Sequence, residues 1–128
     1  VVIVLAPVRG GLFFVENPLN ISDYTNFART TAVYPEALEG GKLEIMYLAL
    51  GLAGEAGEVA NKTKKLYRDG DTRARRSGIV DELGDVFWYL VRICDALHVD
   101  PEDLMGANAD KLAVRKALGS LHGDGDSR

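Results

Sequence analysis

Between Ile45 and Ala60 the only charged side chains are those of Glu55 and Glu58. A helix that is apolar on almost every side has no face to offer water, so it belongs in a core or against a second subunit. The run from Ile79 to Val91 repeats the theme, with Asp81, Glu82 and Asp85 set among aliphatic and aromatic residues. Gly51, Gly54 and Gly57 recur every third residue in the first run. Each costs a helix about 1 kcal/mol against alanine, and three together predict a face that another backbone or a ligand approaches closely.

The punctuation around these runs is helical. Ser22 is placed to cap a short first helix that reaches about Ala32 and stops before Pro35. Gly40-Gly41 precedes a long second helix from Lys42 to about Arg68, closed by the Asp69-Gly70 turn signal. A third runs from about Thr72 to His98, and Asp100-Pro101 stops it and caps a fourth from Glu102 to about Leu118. No strand-like alternation and no internal repeat follows residue 20. The expected fold is all-α, a bundle of about four helices with short connections. Residues 1–20, with Gly10-Gly11 and Pro18 as breakers, read as an extension of unknown role, and residues 21–128 as one domain.

Composition narrows the function classes. The chain has 128 residues, 47% hydrophobic and 27% charged, the proportions of a globular domain large enough to bury a core. Its net charge of −4 argues against a surface that neutralises nucleic-acid phosphates. No stretch approaches the ~20 apolar residues of a membrane helix, and Val1–Val8 lacks the basic lead-in of a signal peptide. The single Cys94 excludes an internal disulfide, and with two histidines it is too little for a Cys/His zinc site. The expectation is a cytoplasmic protein with neither a nucleic-acid polymer nor a membrane as partner.

Glu55 and Glu58 are three residues apart, and so are Glu82 and Asp85, so each pair lies on one helix face. Antiparallel packing of the two long helices brings the pairs together. Four carboxylates in a partly apolar setting repel and resist ionisation unless cations lie between them. Oxygen-only ligands favour Mg²⁺, with Mn²⁺ as a substitute, over zinc. Mg²⁺ recruits substrate phosphates and points to phosphate-ester or anhydride chemistry. A di-iron centre needs Glu-x-x-His pairs; Asp95 precedes His98 and Gly119 precedes His122, so neither histidine supplies one.

Glu55-Ala56-Gly57-Glu58 followed by Glu82-Leu83-Gly84-Asp85 resembles the EXXE…EXXD signature of MazG-like nucleoside triphosphate pyrophosphohydrolases. Leu52-Ala53-Gly54, Lys64-Lys65-Leu66-Tyr67-Arg68-Asp69-Gly70 and Val86-Phe87-Trp88-Tyr89-Leu90 match as neighbours. Asn108-x-x-Lys111-Leu112-x-x-Arg115 and the tail Leu121–Arg128 are similar to the carboxy-terminal pattern of small bacterial and phage members. The resemblance covers about Ile21 to Arg128.

It implies the all-α NTP pyrophosphatase fold, completed by packing as a homodimer or dimer of dimers. The implied reaction cleaves the α–β bond of a nucleoside triphosphate to monophosphate and pyrophosphate. Its implied metal ligands are Glu55, Glu58, Glu82 and Asp85. One of Glu55 and Glu58 is the candidate catalytic base for the attacking water. Lys62, Lys65 and Arg68 are candidates for the triphosphate, against surface or intrahelical pairs such as Glu58–Lys62. Asn108, Lys111 and Arg115 form a polar stripe for base, sugar or phosphate. The glycine-rich tail with Asp126 and Arg128 reads as a lid or as a frayed terminus.

Trp88, Tyr47 and Phe27 read as core first, and His98 and His122 as structural or exposed. Likeness to phage members favours deoxynucleotides, purines first. Phosphoribosyl-ATP or a dUTP/dCTP-type substrate is the alternative within the fold. A non-catalytic metal-binding helical dimer is the alternative outside it.

Overall fold

The computed structural model describes residues 20–122. Four helices follow in order: α1 (Ile21–Thr30), α2 (Lys42–Asp69), α3 (Arg73–Ala96) and α4 (Pro101–Ala117). Among the described residues there is no strand. The body is the antiparallel α2–α3 hairpin, with α1 laid along α3 and α4 touching only α1 and α3.

The caps explain the boundaries. Asn20, not Ser22, caps α1: its side-chain oxygen accepts the Asp23 N–H at 2.8 Å. Ser22 lies inside the first turn, where it is exposed. Thr30 and Thr31 end the helix by turning their hydroxyls back onto the Phe27 and Ala28 carbonyls, local bonds that compete with further helix. Thr72 caps α3 by accepting from Arg75 N. Asp100 caps α4 by accepting from Glu102 N at 2.8 Å, with Pro101 in the first turn.

Past the end of α3, His98 takes a left-handed φ of 57°. Val99 N–H then bonds the Cys94 carbonyl and His98 N–H the Asp95 carbonyl, a Schellman closure with histidine where glycine is usual. His98 therefore has a structural role in the turn.

The connection between α1 and α2 is organised by one carboxylate. Glu44, fully buried in the first turn of α2, accepts from Tyr34 Oη (2.7 Å), Leu38 N (2.9 Å) and Gly40 N (2.6 Å). Its Oε1 also takes Arg92 Nη2 of α3 at 2.9 Å, and Arg92 is fully buried too. Arg92 continues to Asp95, which is held in turn by Arg29 of α1. One ionic chain thus ties α1, the connection, α2 and α3. It also offsets the left-handed φ of Glu36 (60°) and Leu38 (68°), which costs roughly 1–2 kcal/mol per residue for side chains other than glycine.

The apolar core is small. Ala28, Leu48, Val91, Cys94 and Ala96 are its buried members among the described residues. Larger side chains remain uncovered in stripes: Leu43, Met46 and Leu50 on α2, and Val80, Leu83, Phe87 and Leu90 on α3. On α4, Leu104, Met105 and Leu112 are all more than two-fifths exposed. Among the described residues no helix is long and apolar enough to cross a membrane.

Removing one partner of a buried pair leaves an uncompensated charge, which costs about 3–5 kcal/mol. Arg92→Met is expected to lose stability of that order in chemical denaturation. A loss below about 1 kcal/mol would show that the network does not hold the helices.

The pH response follows from the same groups. Burial raises the Glu44 carboxyl, but its four hydrogen bonds outweigh that and hold it below the ordinary range. The Arg29 hydrogen bond, reinforced by Arg92, does the same for Asp95 against burial. Depressed folded-state values mean that this stability is present above the unfolded carboxylate range of about 4 and is lost as pH falls through the folded values. Thermal melts of the Arg92→Met variant are expected to depend less on pH below about 4 than those of the parent.

Candidate metal centre

The α2–α3 hairpin turns two sequence stripes toward each other. On α2 the stripe is Tyr47, Gly51, Glu55, Glu58, Lys62, Lys65 and Asp69; on α3 it is Arg75, Gly78, Glu82, Asp85 and Tyr89. Spacings of three and four keep each set on one face. Gly51 makes the close approach possible: a Cβ there would sit 2.1 Å from Tyr89 Cε1. Of the three glycines expected to mark a close contact, only this one meets a neighbour within the chain. Gly54 and Gly57 have nothing within 4 Å of where a Cβ would be.

One turn beyond the Gly51–Tyr89 contact, Glu55 of α2 meets Glu82 and Asp85 of α3. Each offers an oxygen, and the three oxygens lie within 4.8 Å of one another. Burial, the Asp85 charge and a hydrogen bond to Glu82 hold the Glu55 carboxyl above its ordinary range. Such a carboxyl ionises readily only when a cation joins it. An all-oxygen donor set of two glutamates and an aspartate suits a hard divalent ion. Glu58 is not in this group. It is exposed, and its charge adds to the repulsion on Glu55.

Lys62 answers part of that acidity from within the chain. Its Nζ donates to the Gly78 carbonyl at 3.0 Å and is ion-paired with Glu82. The pairing lowers the Glu82 carboxyl and raises the Lys62 ammonium. Lys62 therefore bridges the two helices rather than pairing with Glu58 on its own helix. Two tyrosines feel the charge of the acids. Burial and the neighbouring Tyr47 and Glu55 raise the Tyr89 phenol, and burial with Asp85 raises that of Tyr24.

The remaining sequence candidates divide. Lys65 lines a cavity of about 380 Å³ with Lys62, Asp69, Arg75 and Gly78. Arg68 is turned onto its neighbour Asp69 by two hydrogen bonds of 2.6 and 2.8 Å. Asn108 and Lys111 line a separate cleft with Leu90, Leu104, Met105 and Ala107. Helix α4 touches α1 and α3 but not α2, and none of the three acids lines the cleft of Asn108 and Lys111. Asp126 and Arg128 lie outside the described residues.

Trp88 packs edge-on against Tyr34 and donates to Thr31 Oγ1 at 2.7 Å, a structural role. Arg75 is the residue that reading the sequence overlooked. It continues the stripe of Asp85, Glu82 and Gly78, and that spacing is the signal that identifies it.

Residues 44–118 match the MazG nucleotide pyrophosphohydrolase domain. The chain belongs to the MazG family. The match spans the three converging acids and nearly all of the hairpin, and begins at the buried Glu44. The Gene 37 protein of Mycobacterium phage L5 is 40% identical over 114 residues, covering 86% of this chain and all of that one. No solved structure matches the chain. Membership carries nucleotide pyrophosphatase activity as the general function, and the acids above are those able to hold the divalent metal such enzymes use.

Ligand binding to the folded state alone stabilises by about 2.7 kcal/mol at a hundredfold excess over Kd. Mn²⁺ is expected to raise the melting temperature of the parent by several degrees. Asp85→Asn removes a ligand and a repulsion together, so the metal shift should vanish while the metal-free melting temperature holds or rises. An unchanged Mn²⁺ shift in that variant would exclude Asp85 from the site.

Gly51→Ala should destabilise by about 1–3 kcal/mol through overpacking. Gly54→Ala should not, and urea denaturation of the two variants compares them.

Proposed function

We propose that this protein hydrolyses the α–β anhydride of nucleoside triphosphates in a Mg²⁺-dependent reaction, giving monophosphate and pyrophosphate. The observation that carries the reading is the convergence of Glu55, Glu82 and Asp85 from two antiparallel helices onto a space one cation can fill. Deoxynucleoside triphosphates are the proposed substrates, purines first. The motif likeness to phage members supports that choice, and so does the phage origin of the 40% identical relative. Residues 21–128 are proposed as the working domain.

Glu55, Glu82 and Asp85 would hold the metal, with Glu58 at the open side. When bound, Mg²⁺ supplies positive charge to phosphate oxygens and so offsets the charge that develops on the leaving group. Glu58, exposed and outside the cluster of three, is free to orient a water and accept its proton as the anhydride opens. Lys62 and Lys65 lie farther along the same face of α2 and meet phosphate charge that the metal leaves uncompensated. Glu58→Gln is expected to reduce turnover about 10²-fold or more, with the melting temperature unchanged. Monophosphate and pyrophosphate, resolved by anion-exchange chromatography, are the expected products. Diphosphate with orthophosphate would refute the bond assignment.

A homo-oligomer is part of the proposal. The uncovered stripe of Val80, Leu83, Phe87 and Leu90 and that of Leu43, Met46 and Leu50 are apolar faces of a kind that monomers seldom leave in water. A second copy packed there also offers the route by which Asn108, Lys111 and Arg115 of one chain reach the acids of another. Light scattering should give a dimer or tetramer mass, and Leu83→Glu should lower it. A monomeric parent would refute this arrangement.

A further inference from the structure

Along the α2–α3 seam the side chains change sign. The middle is acidic, with Glu55, Glu82 and Asp85 grouped. The hairpin end is basic, where Lys62, Lys65 and Arg75 border a cavity of about 380 Å³ that also touches Asp69 and Gly78. The two regions are continuous, because Lys62 lines the cavity and is ion-paired with Glu82 at the same time.

At the opposite end of the seam the one cation facing the tyrosines among the described residues, Arg92, is fully buried and bonded to Glu44, Asp95 and Tyr34, so it offers no charge to a ligand. Helix α2 has no Lys or Arg between Ile45 and Ala60, and α3 has none between Ile79 and Val91. What that end offers is aromatic. Tyr89 fills the gap over Gly51, Tyr47 stacks on Tyr34 at 4.5 Å, and Tyr24 packs on Phe87 of α3 with ring centroids 5.1 Å apart.

Direction follows from helix geometry. Cα–Cβ bonds tilt toward the N-terminus of their helix, so Lys62 and Lys65 lean back along α2 toward the acids. Lys65 lies two turns, roughly 10 Å, beyond Glu58 along the axis. Arg75 leans the other way and closes the far wall, its Nη1 donating to the Asp69 and Gly70 carbonyls at 3.1 and 3.0 Å.

We propose that a bound nucleoside triphosphate has one polarity on this seam. Its β- and γ-phosphates occupy the Lys62–Lys65–Arg75 cavity, and its nucleoside lies toward Tyr24, Tyr47 and Tyr89. This rests on the pyrophosphohydrolase reading above and adds the direction of the substrate. Two consequences follow. The site selects triphosphates over monophosphates through the hairpin cations, and pyrophosphate leaves by way of the hairpin. Arg75 becomes a positioning residue for the distal phosphates.

The test uses the full chain with saturating Mg²⁺ and isothermal titration of three probes: an α,β-imido deoxynucleoside triphosphate, inorganic tripolyphosphate and a deoxynucleoside monophosphate. Lys65 is exposed, so Lys65→Met should fold, as melting will check, and Lys65→Arg restores the charge. Lys65→Met is expected to weaken the imido analogue and tripolyphosphate about tenfold, the scale of one charge-assisted contact. Monophosphate affinity should not change, and Lys65→Arg should recover most of the loss.

Equal affinity of Lys65→Met and parent for tripolyphosphate would overturn the polarity while leaving the pyrophosphohydrolase reading intact. So would a loss shared equally by the monophosphate. A parent that binds tripolyphosphate through Lys65 but none of the nucleotides would refute the pyrophosphohydrolase reading and the polarity with it, sparing only the phosphate cavity. A parent that binds none of the three would overturn both.

Discussion

The buried ion pair of Glu44 and Arg92 fixes how α2 and α3 face each other, and the rest of the molecule follows from that register. Two ions taken out of water are stable only when every remaining donor and acceptor is met. Glu44 satisfies this with three hydrogen bonds to Tyr34, Leu38 and Gly40, and Arg92 with Asp95 and Tyr34. Sliding one helix by a turn would strand both charges. The pair therefore specifies one alignment, whereas a core of Ala28, Leu48, Val91, Cys94 and Ala96 is too small and too uniform to do so alone.

With the register set at one end, the facing residues follow at helical intervals. Tyr89 falls opposite Gly51, Glu82 and Asp85 opposite Glu55, and Gly78 opposite Lys62. The acids are thus driven together by contacts elsewhere and kept there despite mutual repulsion. Local discord of this kind, bought with packing energy from the rest of the fold, is what a bound cation would relieve. Lys62 relieves a part of it through Glu82, and the Glu55 carboxyl stays raised by burial and by Asp85 and Glu82.

The outer faces tell a different story. Hydrophobic stripes on α2, α3 and α4 lie open to solvent within one chain, while the polar network ties α1 and its connection to the α2–α3 hairpin and the three converging acids lie within that hairpin. One chain therefore brings its candidate metal ligands together by itself, and the open apolar surface is what the proposed second copy would cover. Gly54 and Gly57, which face open space, fit a helix surface meant for close approach by a neighbour.

By itself the sequence determined that the chain is helical, where its long helices begin and end to within a few residues, and which acids share a face. Those properties depend on spacing, capping and composition, which are local. Tertiary structure decided the rest. It separated Glu58 from the three acids that converge, turned Lys62 to Glu82 instead of Glu58, and paired Arg68 with Asp69. It brought Arg75 into the basic cavity and made Glu44 and Arg92 the centre of the fold. Most of these depend on the relative rotation and translation of two helices, which local spacing does not carry; the exceptions are Arg68 and Asp69, neighbours in α2, and Arg75, whose place on the α3 stripe the spacing does carry. A shift of one residue turns a helical side chain by about 100°, and only contacts distant in sequence fix that angle.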